Sequence, residues 1–293
     1  MVDVVTPAYK LASHVARALP HPVAASGAKG LGRLAGHLAR ERRAQVERNL
    51  RRVDPTLSGD ALHRLVDQTF ESYARYYEES FRLPGTSAAD LDAGFRADGW
   101  HRLDEALDAG TGAIMAMPHL GGWEWSGFWV TQVQHRPVTA VVERLDPPAL
   151  FEWFVALRRS FGFEVVALGP EAGAATARAL KQNHTLALLC DRDLAGTGPE
   201  VDFFGERTTL PGGPATLALR TGAPLLPTAV YFDGPDHRRS VVLPPVDTSR
   251  QGRLREDVQR VTQDLAHALE DLIRRAPEQW HLLQPNWPSD RAT

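Results

Sequence analysis

The sequence predicts an α/β fold: a central mixed, largely parallel sheet flanked by helices, preceded by a helical N-terminal third. Three observations predict it. Short runs rich in Val, Ile, Leu and Ala alternate with helical stretches from residue 113 to residue 243, the pattern of strands in a sheet covered on both faces. Before residue 85 the chain reads as helix throughout, with apolar residues recurring every three or four positions. With 43% hydrophobic and 24% charged residues among 293, the chain can bury a large core.

From Thr6 to about Leu50, Leu, Val, Ala and Tyr mix with many Arg on short helical stretches broken at Pro20, Pro22 and Gly30. Leu62, Leu65, Val66, Phe70, Tyr73, Tyr77 and Phe81 share one face of an amphipathic helix, which Pro84 and Gly85 stop. Strands are expected at Ala113–Pro118, Pro137–Val142, Glu164–Leu168, Thr185–Cys190, Leu225–Tyr231 and Arg239–Leu243. Between them, helices are expected at Trp123–Val133, Pro148–Ser160, Ala172–Lys181 and Pro214–Thr221, followed by a long amphipathic one from Leu254 to Arg275. No internal repeat or low-complexity linker interrupts the chain. A single domain over 1–293 is therefore expected, with a helical part (1–85) packed on an α/β body (86–293).

The formal net charge of −3 gives no global basic field, which argues against nucleic acid as a partner. The charge is uneven, however: residues 1–52 hold ten Lys or Arg against three acids, leaving seven positive charges at one end. No apolar run approaches the roughly 18 residues that span a bilayer, and no charged n-region precedes an apolar h-region. Neither a spanning helix nor a standard signal peptide is expected. The basic segment suits helices lying in a headgroup layer; a solvated helical face packed on the domain fits the same residues. The only cysteine, Cys190, excludes a disulfide framework or a cysteine zinc finger and reads as a packing residue in a reducing cytoplasm.

The most informative stretch is Met115-Ala-Met-Pro-His-Leu-Gly-Gly-Trp-Glu-Trp125. An apolar strand ends at Pro118, His119 stands at its exit, and Gly121 and Gly122 turn the chain into an aromatic-rich helix. The glycine turn can fold the Glu124 carboxylate back onto the imidazole, fixing its tautomer and stabilising an imidazolium. A satisfied structural histidine fits the same spacing. Other chemistries lack their signatures: there is no G-x-S-x-G elbow, no Walker loop and no H-E-x-x-H helix, and the glycines from Gly27 to Gly36 are not spaced as G-x-G-x-x-G. No metal and no resident cofactor are expected. A histidine base that activates a substrate's own hydroxyl fits what is present.

Six blocks, in order, carry a family resemblance. They are His119-x4-Glu124, Val142-Glu143-Arg144, Cys190-Asp191-Arg192-Asp193, Val201-Asp202-Phe203-Phe204-Gly205, Thr221-Gly222-Ala223-Pro224-Leu225-Leu226-Pro227 and Pro277-Glu278-Gln279-Trp280-His281. Together they resemble the bacterial late lipid acyltransferases, which include the lipid A lauroyl and myristoyl enzymes and the actinobacterial phosphatidylinositol mannoside acyltransferases. The resemblance implies transfer of an acyl group from acyl-CoA or acyl carrier protein to a glycolipid hydroxyl. On it, His119 is the base, Glu124 its acidic partner, and Asp191 an acid of a block that contacts the histidine. Glu143 and Arg158 match an acid and an arginine of the same groove, a surface ion pair being the plain alternative. Gly121 and Gly122 are expected to offer N–H groups to the oxyanion. Trp123, with Trp125, Phe128 and Trp129, is expected to line an acyl tunnel, and Arg192 to contact substrate.

The lack of an anchor helix and the Ala-, Arg- and Gly-rich usage favour the mannoside branch. The expected partners are then acyl-CoA as co-substrate, an anionic glycolipid acceptor and a membrane surface. The basic N-terminal helices would face that surface, peripherally, at the cytoplasmic side of the plasma membrane. Three alternatives stay open: a different glycolipid acceptor as in the lipid A enzymes, a thioesterase that hands the acyl group to water, and a non-catalytic lipid-binding protein.

Overall fold

The computed structural model describes residue 3 and residues 5–291. Seven strands make the central sheet: β1 (Phe95–Asp98), β2 (Ala113–Met117), β3 (Val138–Val142), β4 (Phe163–Ala167), β5 (Thr185–Leu189), β8 (Leu225–Asp233) and β9 (His237–Val242). Their order is β1-β9-β8-β2-β5-β3-β4, and every pairing is parallel except β8 with β9. A separate antiparallel hairpin joins β6 (Glu200–Phe203) to β7 (Glu206–Thr209). The mixed, largely parallel sheet expected from the sequence is thus present.

β2 is buried at every position because helices cover both sides of it. On one side Met115 packs with Leu103 and Leu107 of α6 (His101–Asp108), while Val138 and Ala140 pack with Phe128 and Val130 of α7 (Trp123–Gln132). On the other, Ile114, Ala116, Leu186 and Leu188 meet Leu180 of α9 (Ala172–Lys181), Ala215 of α10 (Gly213–Thr221), and Leu265 and Leu269 of α11 (Leu254–Arg274). α8 (Pro148–Arg159) follows β3 and packs against β4. The observed β4 starts and ends one residue earlier than expected, and β9 begins two residues earlier. The sequence reading omitted α5 (Ala88–Ala93), β1, α6 and the β6–β7 hairpin.

Four helices fill the N-terminal part: α1 (Val5–Ala18), α2 (His21–Leu38), α3 (Arg40–Val53) and α4 (Gly59–Arg82). The chain breaks at Pro20 as expected, but Pro22 lies in the first turn of α2, which runs through Gly30 without interruption. Two of its glycines, Gly32 and Gly36, serve close packing. A Cβ on Gly32 would stand 2.8 Å from the Ala74 Cβ, and one on Gly36 would stand 2.7 Å from the Phe70 ring, so only glycine lets α2 lie this close to α4. α4 in turn buries Leu62, Val66 and Phe70 with Val46 and Leu50 of α3 and with Leu283; each such side chain contributes about 1.5–3 kcal/mol through burial. Phe81 of α4 packs with Ala16 of α1 and with Leu150 and Phe154 of α8.

The opposite faces of α1 and α2 are bare, with Leu11 65%, Leu31 68% and Leu38 75% exposed. Among the described residues no helix is long and apolar enough to cross a membrane.

Candidate active site

β2 and β5 run in parallel with Met117 opposite Leu189. Two residues beyond each partner stand His119 and Asp191, so strand register alone carries these residues to the same edge of the sheet although they lie 72 positions apart. The His119 Nδ1–H donates to Asp191 Oδ1 at 2.6 Å, and the His119 backbone N–H donates to Asp191 Oδ2 at 3.1 Å. A carboxylate accepts and cannot donate, so this bond places the ring proton on Nδ1 and leaves the Nε2 lone pair free. The Asp191 side chain is fully buried while that of His119 is 30% exposed. Burial pushes the Asp191 carboxyl upward, but the neighbouring His119 charge and the bonds from His119 and Trp280 outweigh it and hold the pKa below its ordinary value.

His119 opens onto a cavity of about 760 Å³. One arm is a tunnel along the sheet. From α7 it is lined by Trp123, Ser126, Gly127 and Val130, the i, i+3, i+4, i+7 stripe of a helix. From the strands come Met115 and Met117, Val138, Ala140 and Val142, and Thr185, Ala187 and Leu189, alternate residues that share one sheet face. Ser126, Ala140 and Ala187 are small, and the space they leave is the tunnel; Gly127 lets the Phe163 ring come close, since a Cβ there would run into it. A second, half-exposed arm runs between α9 and α10, past Thr176 and Leu217 to Arg220.

The expected site residues sort themselves differently from the sequence reading. Glu124 does not turn back onto His119. It lies buried on α7, where its Oε1 accepts from Arg158 and, at 3.1 Å, from the Tyr76 hydroxyl. The carboxylate belongs to the first turn of a regular helix, so its direction is set by α7 and not by the glycine turn. Glu143 pairs with Arg192 at 2.7 Å, so the surface ion pair of Glu143 with Arg158 does not form. Arg158, Arg192 and Glu143 all line the cavity.

The amides of Gly121 and Gly122 are already used, donating to Gln279 O at 2.9 Å and Val230 O at 3.1 Å. Gly121 has φ +59, and a Cβ there would run into the Val230 carbonyl, so its role is close backbone approach. Trp125, Phe128 and Trp129 point away from the tunnel into the core with Leu91 and Phe95; at 100° per residue they fall on the far side of α7 from Trp123.

Several neighbours escaped the sequence reading. Trp280 Nε1–H donates to Asp191 Oδ2 at 2.7 Å, and the His281 backbone N–H donates to the His119 carbonyl at 2.7 Å. The buried His281 ring bonds to Ser72 at 2.8 Å, and its pKa is pushed down to about 3, first by burial and then by His119. Tyr73, Tyr76 and Tyr77 of α4 line the cavity opposite, Tyr76 stacking on Trp123. Tyr73 and Tyr77 were visible in the sequence only as part of an apolar stripe, and Tyr76 stood outside it. Cys190 is buried, and burial pushes its thiol pKa up, as befits packing. Among the described residues no cluster of His, Cys, Asp and Glu has the geometry to hold a metal ion.

An imidazole held at Nδ1 by a buried carboxylate, at the mouth of an apolar tunnel, can in its neutral form take a proton at Nε2 from a hydroxyl beside a reactive acyl group. The model of the family described as bacterial lipid A biosynthesis acyltransferase matches residues 5–289. The chain is 41% identical over 249 residues to the phosphatidylinositol mannoside acyltransferase of Mycolicibacterium smegmatis, covering 84% of this chain and 80% of that one. It is 41% identical over 254 residues to the Mycobacterium tuberculosis protein of the same name, covering 84% and 77%. The chain belongs to the bacterial lipid A biosynthesis acyltransferase family and is an acyltransferase.

Proposed function

We propose that the protein moves a long-chain, palmitoyl-like acyl group from acyl-CoA to a mannose hydroxyl of a phosphatidylinositol mannoside, with His119 as general base and no covalent acyl-enzyme. The observation that carries this reading is the His119–Asp191 pair at the mouth of the apolar tunnel. The 41%-identical relatives, named as phosphatidylinositol mannoside acyltransferases, suggest the acceptor class. With Nδ1 engaged by Asp191, Nε2 removes the proton from the sugar hydroxyl. The hydroxyl oxygen then attacks the thioester carbonyl, the C–S bond breaks, and the departing sulfur takes the proton back from the imidazolium as free CoA thiol. The first turn of α7, which has no side-chain cap and starts four residues after His119, offers backbone N–H groups to the developing oxyanion. Arg158 and the Arg192–Glu143 pair, which line the same cavity, are the groups that would meet the acceptor.

The acceptor is a lipid, and the bare faces of α1 and α2 give the protein a surface that suits a bilayer. Leu31, Leu34 and Leu38 recur along α2, beside Lys29 and Arg33. Apolar side chains flanked by cations match an anionic headgroup layer, on the cytoplasmic side of the plasma membrane where acyl-CoA is available. Replacing Leu31 and Leu34 with Asp is expected to weaken binding to phosphatidylinositol-containing vesicles by roughly tenfold or more, since each buried Leu contributes about 1.5–3 kcal/mol. Undiminished vesicle binding in that variant would put the contact elsewhere.

The activity itself is tested with purified protein and palmitoyl-CoA. Thiol release that requires the mannoside and yields an acylated glycolipid is the expected result. Release independent of acceptor would make the protein a thioesterase, and transfer to a lipid A-type acceptor in preference to mannosides would change the acceptor class.

A further inference from the structure

The Pro277–His281 segment closes over the back of the His119–Asp191 pair, and nothing in the acyl-transfer steps uses it. It is bound there by its backbone. Gly121 N–H donates to Gln279 O at 2.9 Å, and His281 N–H donates to His119 O at 2.7 Å. Leu120 and Trp280 form an isolated antiparallel bridge. Trp280 is 3% exposed and is wedged among Phe203, Phe204 and Trp287, whose rings fix its orientation.

We infer that Trp280 is a positioning residue for the pair: its indole N–H fixes the rotation of the Asp191 carboxylate and keeps it anionic so that Oδ1 stays aligned with His119 Nδ1. Asp191 has no exposure to water, so its two oxygens depend on protein donors. Oδ1 accepts from the His119 ring, and Oδ2 accepts from the His119 backbone at 3.1 Å and from Trp280 at 2.7 Å. Among the described residues, Trp280 is thus the one side-chain donor to this carboxylate that does not come from His119. Without it the anion would rest on the histidine it is meant to orient. The other titratable groups around the pair are His281, Cys190, Arg192 with Glu143, and Arg158 with Glu124 and Tyr76.

The sign follows from charge. Trp280 stabilises the carboxylate, so removing its N–H raises the affinity of the pair for a proton. The pair therefore titrates at a higher pH, and the acid limb of the rate profile moves up with it. A charge-assisted hydrogen bond of this kind corresponds to about one pH unit or more.

The experiment is a titration of the His119 imidazole by NMR in the free protein, together with the pH profile of kcat/KM for palmitoyl-CoA, in Trp280→Phe and in Trp287→Phe. Trp287 is the control: equally buried in the same cluster, it donates its N–H to Phe203 O at 3.2 Å and does not touch the pair. The expected result is an upward shift of the His119 midpoint by about one unit or more in Trp280→Phe alone, with kcat reduced about tenfold and KM little changed. If Trp280→Phe does not fold, 3-benzothienylalanine at position 280 keeps the shape and removes only the N–H. An unmoved midpoint, or the same shift in both variants, overturns the inference. The activity arm rests on the transferase reading, but the titration does not, so loss of one leaves the other standing.

Discussion

Replacing His119 with alanine is expected to lower kcat for acyl transfer by about two to four orders of magnitude while leaving the protein folded and its KM for palmitoyl-CoA nearly unchanged. The imidazole is 30% exposed and faces the cavity, so its loss leaves no core void and unpairs only Asp191. That carboxylate keeps its bonds from Trp280 and from the backbone N–H of residue 119. On the proposed mode of donor binding, chiefly through an acyl chain in the tunnel, burial of that chain is the same in ground and transition states. The loss should therefore fall on kcat, as it does when a group acts only in the transition state. A double variant lacking both His119 and Asp191 is expected to be no slower than the single one, because the two act as a unit. Retained activity in His119→Ala would remove the general base from the scheme.

Much of the fold could be read from the chain because buried parallel strands announce themselves. Ala113–Met117, Thr185–Leu189 and Leu225–Asp233 are dominated by apolar residues, and their positions were legible. The omissions are short and half-exposed. β1 is four residues, Phe-Arg-Ala-Asp, with only Phe95 buried, and it exists because β9 offers it an edge. The β6–β7 hairpin turns at Phe204 and Gly205, both with positive φ, and its Phe203 is buried by a core contributed from elsewhere in the chain. Local patterns could not report contacts of that kind. The glycines of α2 look like breakers in isolation, yet Gly30 stands in a continuous helix with open space beside it, and Gly32 and Gly36 are spacers only once α4 is beside them.

The site shows the same division. His119 was legible from its place at the end of an apolar strand. Asp191 was legible only through the family resemblance: spacing along the chain favoured the nearby Glu124, while the β2–β5 register brings Asp191 to the ring. Of the α7 aromatics expected to line the tunnel, Trp123 does, while Trp125, Phe128 and Trp129 turn into the core. The remaining space comes from small residues such as Ser126, Ala140 and Ala187, since a void forms where side chains are missing.

Which acid serves His119 is decided by comparing Asp191→Asn with Glu124→Gln. The first substitution presents an amide where Oδ1 now accepts, and that amide could equally donate to Nδ1, pinning the proton on Nε2, the nitrogen that must be free. A wrong tautomer of this kind lowers kcat by about 10⁴-fold in the serine-protease triad, and a loss of similar order is expected here. The variant should also lose pH sensitivity of folding. Because the Asp191 pKa is held below 3.8, its stabilisation is present above that value and is lost as pH falls through the folded value. Wild-type stability should fall more steeply in acid than that of Asp191→Asn. Glu124→Gln predicts the reverse pattern. Its carboxylate touches Arg158 and Tyr76 and makes no bond to His119, so the tautomer survives and kcat should change by less than about tenfold. What it loses is the counter-charge of a buried arginine. Breaking such a pair costs about 3–5 kcal/mol, which denaturant unfolding would read as a lower midpoint. The steeper kcat loss belonging to Glu124 would restore the acid suggested by sequence spacing and leave Asp191 a structural support for the strand end.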